Sequence, residues 1–271
     1  MSAPVAAVRG LQTRWDKGVA TTGAMIILAI ESIVAGVSDI VRRRFPWGEY
    51  FFQAWFMTRV SLVPTILVAI PFGVIVSVQI GGVAEQIGAA SFSGAVNGVG
   101  VLRQGAPLVT SLMIAGAVGS AICSDLGART IREEVDALKV MGISPVNRLV
   151  APRVFAAVTV ALLLNVIVAA TAILTGFMLN VGTGSVSSGT YLGSFVGFAQ
   201  ISDLFLAEFK AAVFGLIATI VAAHKGLSAT GGPKGVADAV NQTVVLAFIL
   251  LALVNVALTQ AYVMLVPQRI A

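Results

Sequence analysis

Ser124–Pro145, SDLGARTIREEVDALKVMGISP, is the one charge-dense stretch between long apolar runs. Placed on a helix, Ile131, Val135, Leu138 and Met141 recur at steps of four, three and three and form an apolar stripe, while Arg132, Glu133, Asp136 and Lys139 take the other faces. Such an amphipathic helix over residues 125–145 cannot span a bilayer, yet runs that can lie on both sides of it. It is expected at the membrane surface, meeting something in water, with Gly142 and Ser144-Pro145 ending it. Pattern alone leaves two readings open, a solvated connector and a docking helix.

The rest of the chain is far more apolar. Hydrophobic residues make up 58% of 271 residues, charged residues only 11%, and the mean hydropathy is +0.97. A soluble domain usually carries roughly 25% charged residues, so the composition points to an integral membrane protein. No segment is left for a separate soluble fold, and residues 1–271 read as a single all-α, polytopic membrane domain. The net charge of +5 does not imply nucleic acid, because the basic residues cluster at the ends of apolar runs, where membrane topology explains them. One cysteine, Cys123, and one histidine, His224, exclude a disulfide framework and a Cys- or His-rich metal cluster. The N-terminal MSAPVAAVRGLQTRWDKG lacks the charged-then-apolar pattern of a cleavable signal, so the first apolar segments are expected to direct insertion.

Taken in order, residues 11–44 contain an apolar run flanked at both ends by basic residues, Arg14 and Lys17 before it and Arg42, Arg43 and Arg44 after. A crossing helix would put one cluster outside, so a helix lying in the interface is expected. FPWGEYFFQAWF, residues 45–56, places seven aromatics in twelve residues, as at headgroup level. Spans are expected at 60–80, 107–123, 154–181, 205–223 and 243–266. Pro64 and Pro71 in the first suggest a kinked helix facing a cavity. Residues 81–105 read as an outer re-entrant or surface segment. In the second span Gly116, Gly119 and Ser120 give small-residue spacing for close helix packing.

Lys and Arg fall on alternate sides of this layout. Seven precede Val60 and five surround the amphipathic helix, whereas the first outer loop has only Arg103 and the second none. The positive-inside tendency then puts the N-terminus inside, the C-terminus outside, and the amphipathic helix in the cytoplasm. Nucleotide chemistry is not encoded. GLSATGGPKG at 226–235 resembles a phosphate loop only superficially, since Lys and Ser or Thr do not directly follow its second glycine. No serine elbow or paired carboxylates appear, and an enzyme is not expected.

Glu133-Glu134-Val135-Asp136-Ala137-Leu138, followed by KVMGISP to Pro145, resembles the signature of the MlaE/YrbE permeases, membrane subunits of lipid-transporting ABC systems associated with Mce proteins. Ala115–Ala121 (AGAVGSA), Asp125-Leu126-Gly127, Pro152-Arg153-Val154, Lys210–Gly215 (KAAVFG) and Gly231–Val236 (GGPKGV) extend the resemblance from about Val60 onward. It implies one interfacial helix plus five spans, and a coupling helix between spans two and three that carries Arg132, Glu133, Glu134, Asp136, Leu138 and Lys139. It also implies a second permease of the same type, two cytoplasmic ATPases holding ATP and Mg, and an external Mce hexamer. Relatives commonly show Arg-Glu-Leu-Gly-Pro where this chain has Arg103-Gln104-Gly105-Ala106-Pro107, and Ala-Gly-Arg-Val-Gly where it has Ala117. These departures suit two unlike permeases, as in the actinobacterial systems the sequence most resembles, which import fatty acids, mycolic acids or sterols.

The expected function is therefore a permease subunit of an ATP-driven lipid importer in the inner membrane, with a membrane scaffold for an external lipid-binding partner as the alternative. Glu208, Lys210 and Pro71 are candidates for the lipid pathway or an outer cavity, because charge inside a span is costly. Lys210 has the alternatives of snorkelling or pairing with Asp203 or Glu208. Glu31 reads as a polar-face residue and Cys123 as a small filler.

Overall fold

A computed structural model describes residues 3–265, with side chains described from Ala20 to Met264 apart from Ile80 and Glu85. Val266, the last residue of the fifth expected span, and the C-terminal tail lie outside the described residues. Those described form helices and short connections, with no strand among them. The helices are α1 (Ala3–Val41), α2 (Trp47–Gln86), α3 (Ser93–Gly100), α4 (Ala106–Met113), α5 (Gly119–Ile131), α6 (Glu134–Val140), α7 (Ala151–Gly182), α8 (Ser188–Phe198), α9 (Ile201–Leu227) and α10 (Gly232–Leu265). Wider π turns at Val101–Gly105 and Ile114–Val118 join α3, α4 and α5 into one continuous helical run, and a third at Val146–Val150 leads into α7.

The long helices alternate in direction, as their contacts reveal. Tyr50 bonds Thr159 near the start of α2 and α7, and Asn180 bonds Ser77 near their far ends, so these two run in parallel. Gly226 late in α9 lies against Cys123 and Leu126 late in α5, and Thr243 early in α10 bonds Cys123. Tyr262 late in α10 reaches Asp203 early in α9. One end of the bundle thus holds the α1–α2 turn, the α5–α7 connection and the α9–α10 turn. It carries Arg42, Arg43, Arg44, Arg129, Arg132, Lys139, Arg148, Arg153, Lys225 and Lys234, whereas Arg103 and Lys210 lie toward the opposite end.

The bundle closes through small residues. A Cβ on Gly73 would stand 2.8 Å from the carbonyl oxygen of Ala172, and one on Gly215 would stand 2.9 Å from that of Ala157. These approaches bring α7 against α2 and α9, burying Val154, Ala157, Ala161, Leu164 and Phe214. The periphery is apolar instead of charged: Trp55, Leu67, Ile75, Phe205 and Val256 are all exposed. An apolar girdle around satisfied helices is what a bilayer requires.

Six helical runs among the described residues are long and apolar enough to cross a membrane, and Ala20–Val41 in α1 is one of them. Length and composition therefore do not set α1 apart from the five expected spans. Its later part lies in the basic half of the bundle, with Gly36 against Phe155 and Glu31 in the same hollow as His224 and Ser228.

Three boundaries differ from expectation for physical reasons. The re-entrant or surface segment expected over 81–105 is largely helical, and the glycines at 94 and 98 let α3 press on α8, against the Tyr191 carbonyl and the Phe195 ring. The second span accordingly belongs to a helical run from Ala90 to Ile131. The single helix expected over 125–145 is two helices, broken where Glu133 takes a left-handed conformation at φ 60.

Candidate functional site

The break at Glu133 makes α6 a separate seven-residue helix, and it changes which side chains face the bundle. Glu133 hydrogen-bonds through its N–H to the Thr130 carbonyl at 3.1 Å, which completes α5, and through its own carbonyl to Ala137 N–H at 2.9 Å, which starts α6. At the other end Gly142 takes φ 75, and Ile143 N–H closes on the Leu138 carbonyl at 2.9 Å. Val135 is buried and Leu138 packs on the core, but Met141 is 64% exposed beside Val140 at 89%. The four-residue stripe expected from spacing is therefore interrupted. Ile131 belongs to α5, Val135 and Leu138 face inward, and Val140 and Met141 form a bare apolar tip.

The charges expected for coupling are mostly paired at home. Glu134 accepts from Arg132 at 2.9 Å and lies 3.8 Å from Arg129, and Lys139 donates to Asp136 at 2.8 Å. Glu133 projects from the turn, exposed. Arg129 also donates to Asp125, one turn earlier in α5, at 3.2 Å. Asp125 in turn accepts from Arg153 at 2.5 Å. Arg153 is fully buried in the first turn of α7, where it donates to the Leu149 carbonyl at 2.6 Å and lies 3.7 Å from Glu49 at the start of α2. Spacing did not single out Asp125 and Arg153 as a pair. The available signal was a lone arginine opening an apolar run and a lone aspartate closing another.

A second polar cluster lies toward the opposite end of the bundle. Lys210 is buried and donates to the Arg103 carbonyl at 2.9 Å and to Thr259 at 2.7 Å. The carbonyl of Arg103 is available because Pro107, four residues on, has no N–H to offer it. The Arg103 guanidinium donates to buried Asp203 at 2.7 Å and lies 5.8 Å from the Tyr262 ring, whose hydroxyl donates to the same carboxylate at 3.2 Å. Gln104 donates to Thr259 and accepts from Asn255, each at 3.2 Å. Lys210 therefore pairs with neither Asp203 nor Glu208. Glu208, two residues away on another face of α9, accepts from Asn165 at 2.8 Å, and Asn165 accepts from Thr110 at 3.2 Å.

The remaining candidates separate. Pro71 is exposed on the side of α2. Gly119 lies near Thr243, whereas a Cβ on Gly116 would meet nothing within 4 Å. Ser120 lines a shallow hollow with Ser124, Val236 and Asn241. Among the described residues, Gly116 therefore makes no close helix approach.

A polytopic helical bundle, with no separate soluble domain among the described residues and a short charged helix at its basic end, has the form of a transport-system membrane subunit. Residues 50–261 match the family model described as permease MlaE, and the chain belongs to that family. It is similar to a probable ABC transporter permease protein of Synechocystis, 30% identical over 68% of this chain and 70% of the relative. A probable ABC transporter permease protein of Rickettsia bellii is 27% identical over 84% and 88%. The Arabidopsis thaliana chloroplastic protein TRIGALACTOSYLDIACYLGLYCEROL 1 is 26% identical over 80% of this chain and 63% of its own length.

Proposed function

We propose that the chain is the permease subunit of an ATP-driven lipid importer in the inner membrane, and that α6 is the helix on which its ATPase seats. The observation that carries the reading is α6 itself: a capped helix at the basic end, with Val135 anchored in the core and Val140 and Met141 bare. An amphipathic helix held this way fits a groove on a soluble partner and hands that partner's movement to the spans as a rigid-body tilt. Relatives named as ABC transporter permeases support an ATPase partner, two copies of which would bind the ATP and Mg.

On this reading the basic end is cytoplasmic by the positive-inside tendency, and α1 lies along the inner interface. A second YrbE-type permease covers the face that Gly116 and Ser120 leave open, and an Mce hexamer receives or delivers lipid at the opposite end. Apolar hollows suit acyl or sterol cargo. One of about 520 Å³ between α1, α9 and α10 is lined by Met25, Ile26, Ile220 and Leu250, and one of about 430 Å³ by Val83, Ile87, Phe92 and Val96. Fatty acids, mycolic acids, sterols and phospholipids all meet that description.

The test is a pull-down from cells that carry the whole system. Replacing Glu134 and Asp136 by lysine reverses the acidic face of α6 and is expected to release the ATPase while the permease stays folded. Undiminished ATPase recovery, with lipid uptake intact, would instead favour a scaffold.

A further inference from the structure

Backbone joins α6 to the bundle only through turns, Arg132–Glu133 before it and residues 141–145 after it, so a push on α6 is carried inward by side chains, the apolar Val135 and Leu138 and the ion pairs beside them. The side chains present form a continuous ionic path: Glu134 to Arg129, Arg129 to Asp125, Asp125 to Arg153, and Arg153 to Glu49. It crosses from α6 to α5, then to α7 and α2. Arg153 is where three helices meet, and it has no exposed surface. Burying a charge there is expensive, and the cost is offset only by the ion pairs and hydrogen bonds the guanidinium makes. What only the guanidinium supplies is a planar fork that reaches Asp125, the Leu149 carbonyl and Glu49 from one point.

Beyond Arg153, α2 and α7 stay together for their whole shared length. Tyr50 bonds Thr159 at 3.0 Å, Gly73 sits on the Ala172 backbone, and Asn180 bonds Ser77 at 3.3 Å. A tilt imposed on the first turn of α7 is carried along both helices to the opposite end.

We infer that Arg153 is the positioning residue of a transmission, an ion-pair chain through Arg129 and Asp125 that makes α2 and α7 follow α6. The inference rests on the docking of the ATPase at α6, and it can fail while that reading stands.

The experiment uses the purified complex of permease and ATPase in lipid nanodiscs. Spin labels are placed through Val78→Cys on α2 and Val256→Cys on α10, both well exposed. Their separation is measured by pulsed electron resonance before and after trapping with ATP and vanadate. The double-labelled parent is expected to shift on trapping. Arg129→Gln and Arg153→Lys are expected to abolish that shift while the ATPase stays bound and hydrolysing and the melting temperature of the Arg129 variant is unchanged. Arg129 is 30% exposed, so its variant decides the matter if the Arg153 variant does not fold. A parent that does not shift, variants that shift as the parent does, or variants that lose the ATPase each overturn the transmission. A parent that does not recover the ATPase at all overturns the docking reading, and the transmission with it.

Discussion

Lys210 completes a hydrogen bond that Pro107 cannot make. The proline removes the N–H that would serve the Arg103 carbonyl, and the ammonium of Lys210, from a different helix, donates to that oxygen at 2.9 Å. The second helical run therefore keeps a proline beside a π turn without an unpaired carbonyl in the apolar interior. A second bond, to Thr259, ties α10 to the same point. The lysine is a clamp among three helices.

Lys210→Met keeps the length of the side chain and removes the donor. It is expected to lower stability by about 1–3 kcal/mol, the cost of losing the charged donor's bonds to the Arg103 carbonyl and Thr259. Thermal unfolding of the purified permease in detergent checks this, and a melting temperature equal to the parent's would refute the clamp.

Asp203→Ala strips Arg103 and Tyr262 of a shared partner. One-sided removal of a buried pair costs about 3–5 kcal/mol, and partial exposure of Arg103, at 25%, reduces the expected loss to about 2 kcal/mol. Adding Arg103→Met to the same chain is expected to restore part of that loss. A double-mutant cycle by denaturant or heat measures it, and strictly additive losses would show that the two residues do not interact.

Much of this architecture was legible in the sequence. Five long apolar runs, a sixth flanked by Arg and Lys at both ends, and the charge-dense stretch between the second and third runs were enough for an all-α membrane fold. Boundaries were harder, because hydropathy reports where a helix meets lipid and not where it stops. Trp47–Gln86 is one helix although only 60–80 is uniformly apolar. The Glu133 break was invisible for a related reason: nothing in Arg-Glu-Glu-Val favours a left-handed residue, and the geometry is imposed by Val135 and Leu138 packing inward. The polar clusters depend on partners far apart in the chain, from Asp125 with Arg153 to Tyr262 with Arg103, which no local spacing encodes.

The left-handed Glu133 gives a direct handle on the hinge. Such a conformation costs a non-glycine residue roughly 1–2 kcal/mol, and glycine adopts it freely. Glu133→Gly is expected to be neutral or slightly stabilising, whereas Glu133→Val is expected to lose about 1–2 kcal/mol more because a branched side chain fits that region worst. Unfolding curves for both variants are the check, and equal losses would argue against a fixed turn.

Gly215 sets how near α9 comes to α7. A Cβ there would stand 2.9 Å from the Ala157 oxygen and 3.0 Å from the Ala161 methyl, so Gly215→Ala must push the helices apart. Overpacking of this kind costs about 1–3 kcal/mol. Gly116→Ala, which meets nothing within the chain, is expected to leave the stability of the isolated permease unchanged. A comparable loss at both positions would contradict the described packing.

The central claim is that α6 seats in a cytoplasmic ATPase. It is tested most directly by Met141→Cys carrying a benzophenone photocrosslinker, in cells that express the whole transport system. The account predicts an adduct of permease and ATPase on illumination, and, in cells carrying the Met141→Cys chain without the crosslinker, no labelling of that cysteine by a membrane-impermeant maleimide applied outside. A cysteine that forms no adduct, or that the maleimide labels from outside, would contradict it.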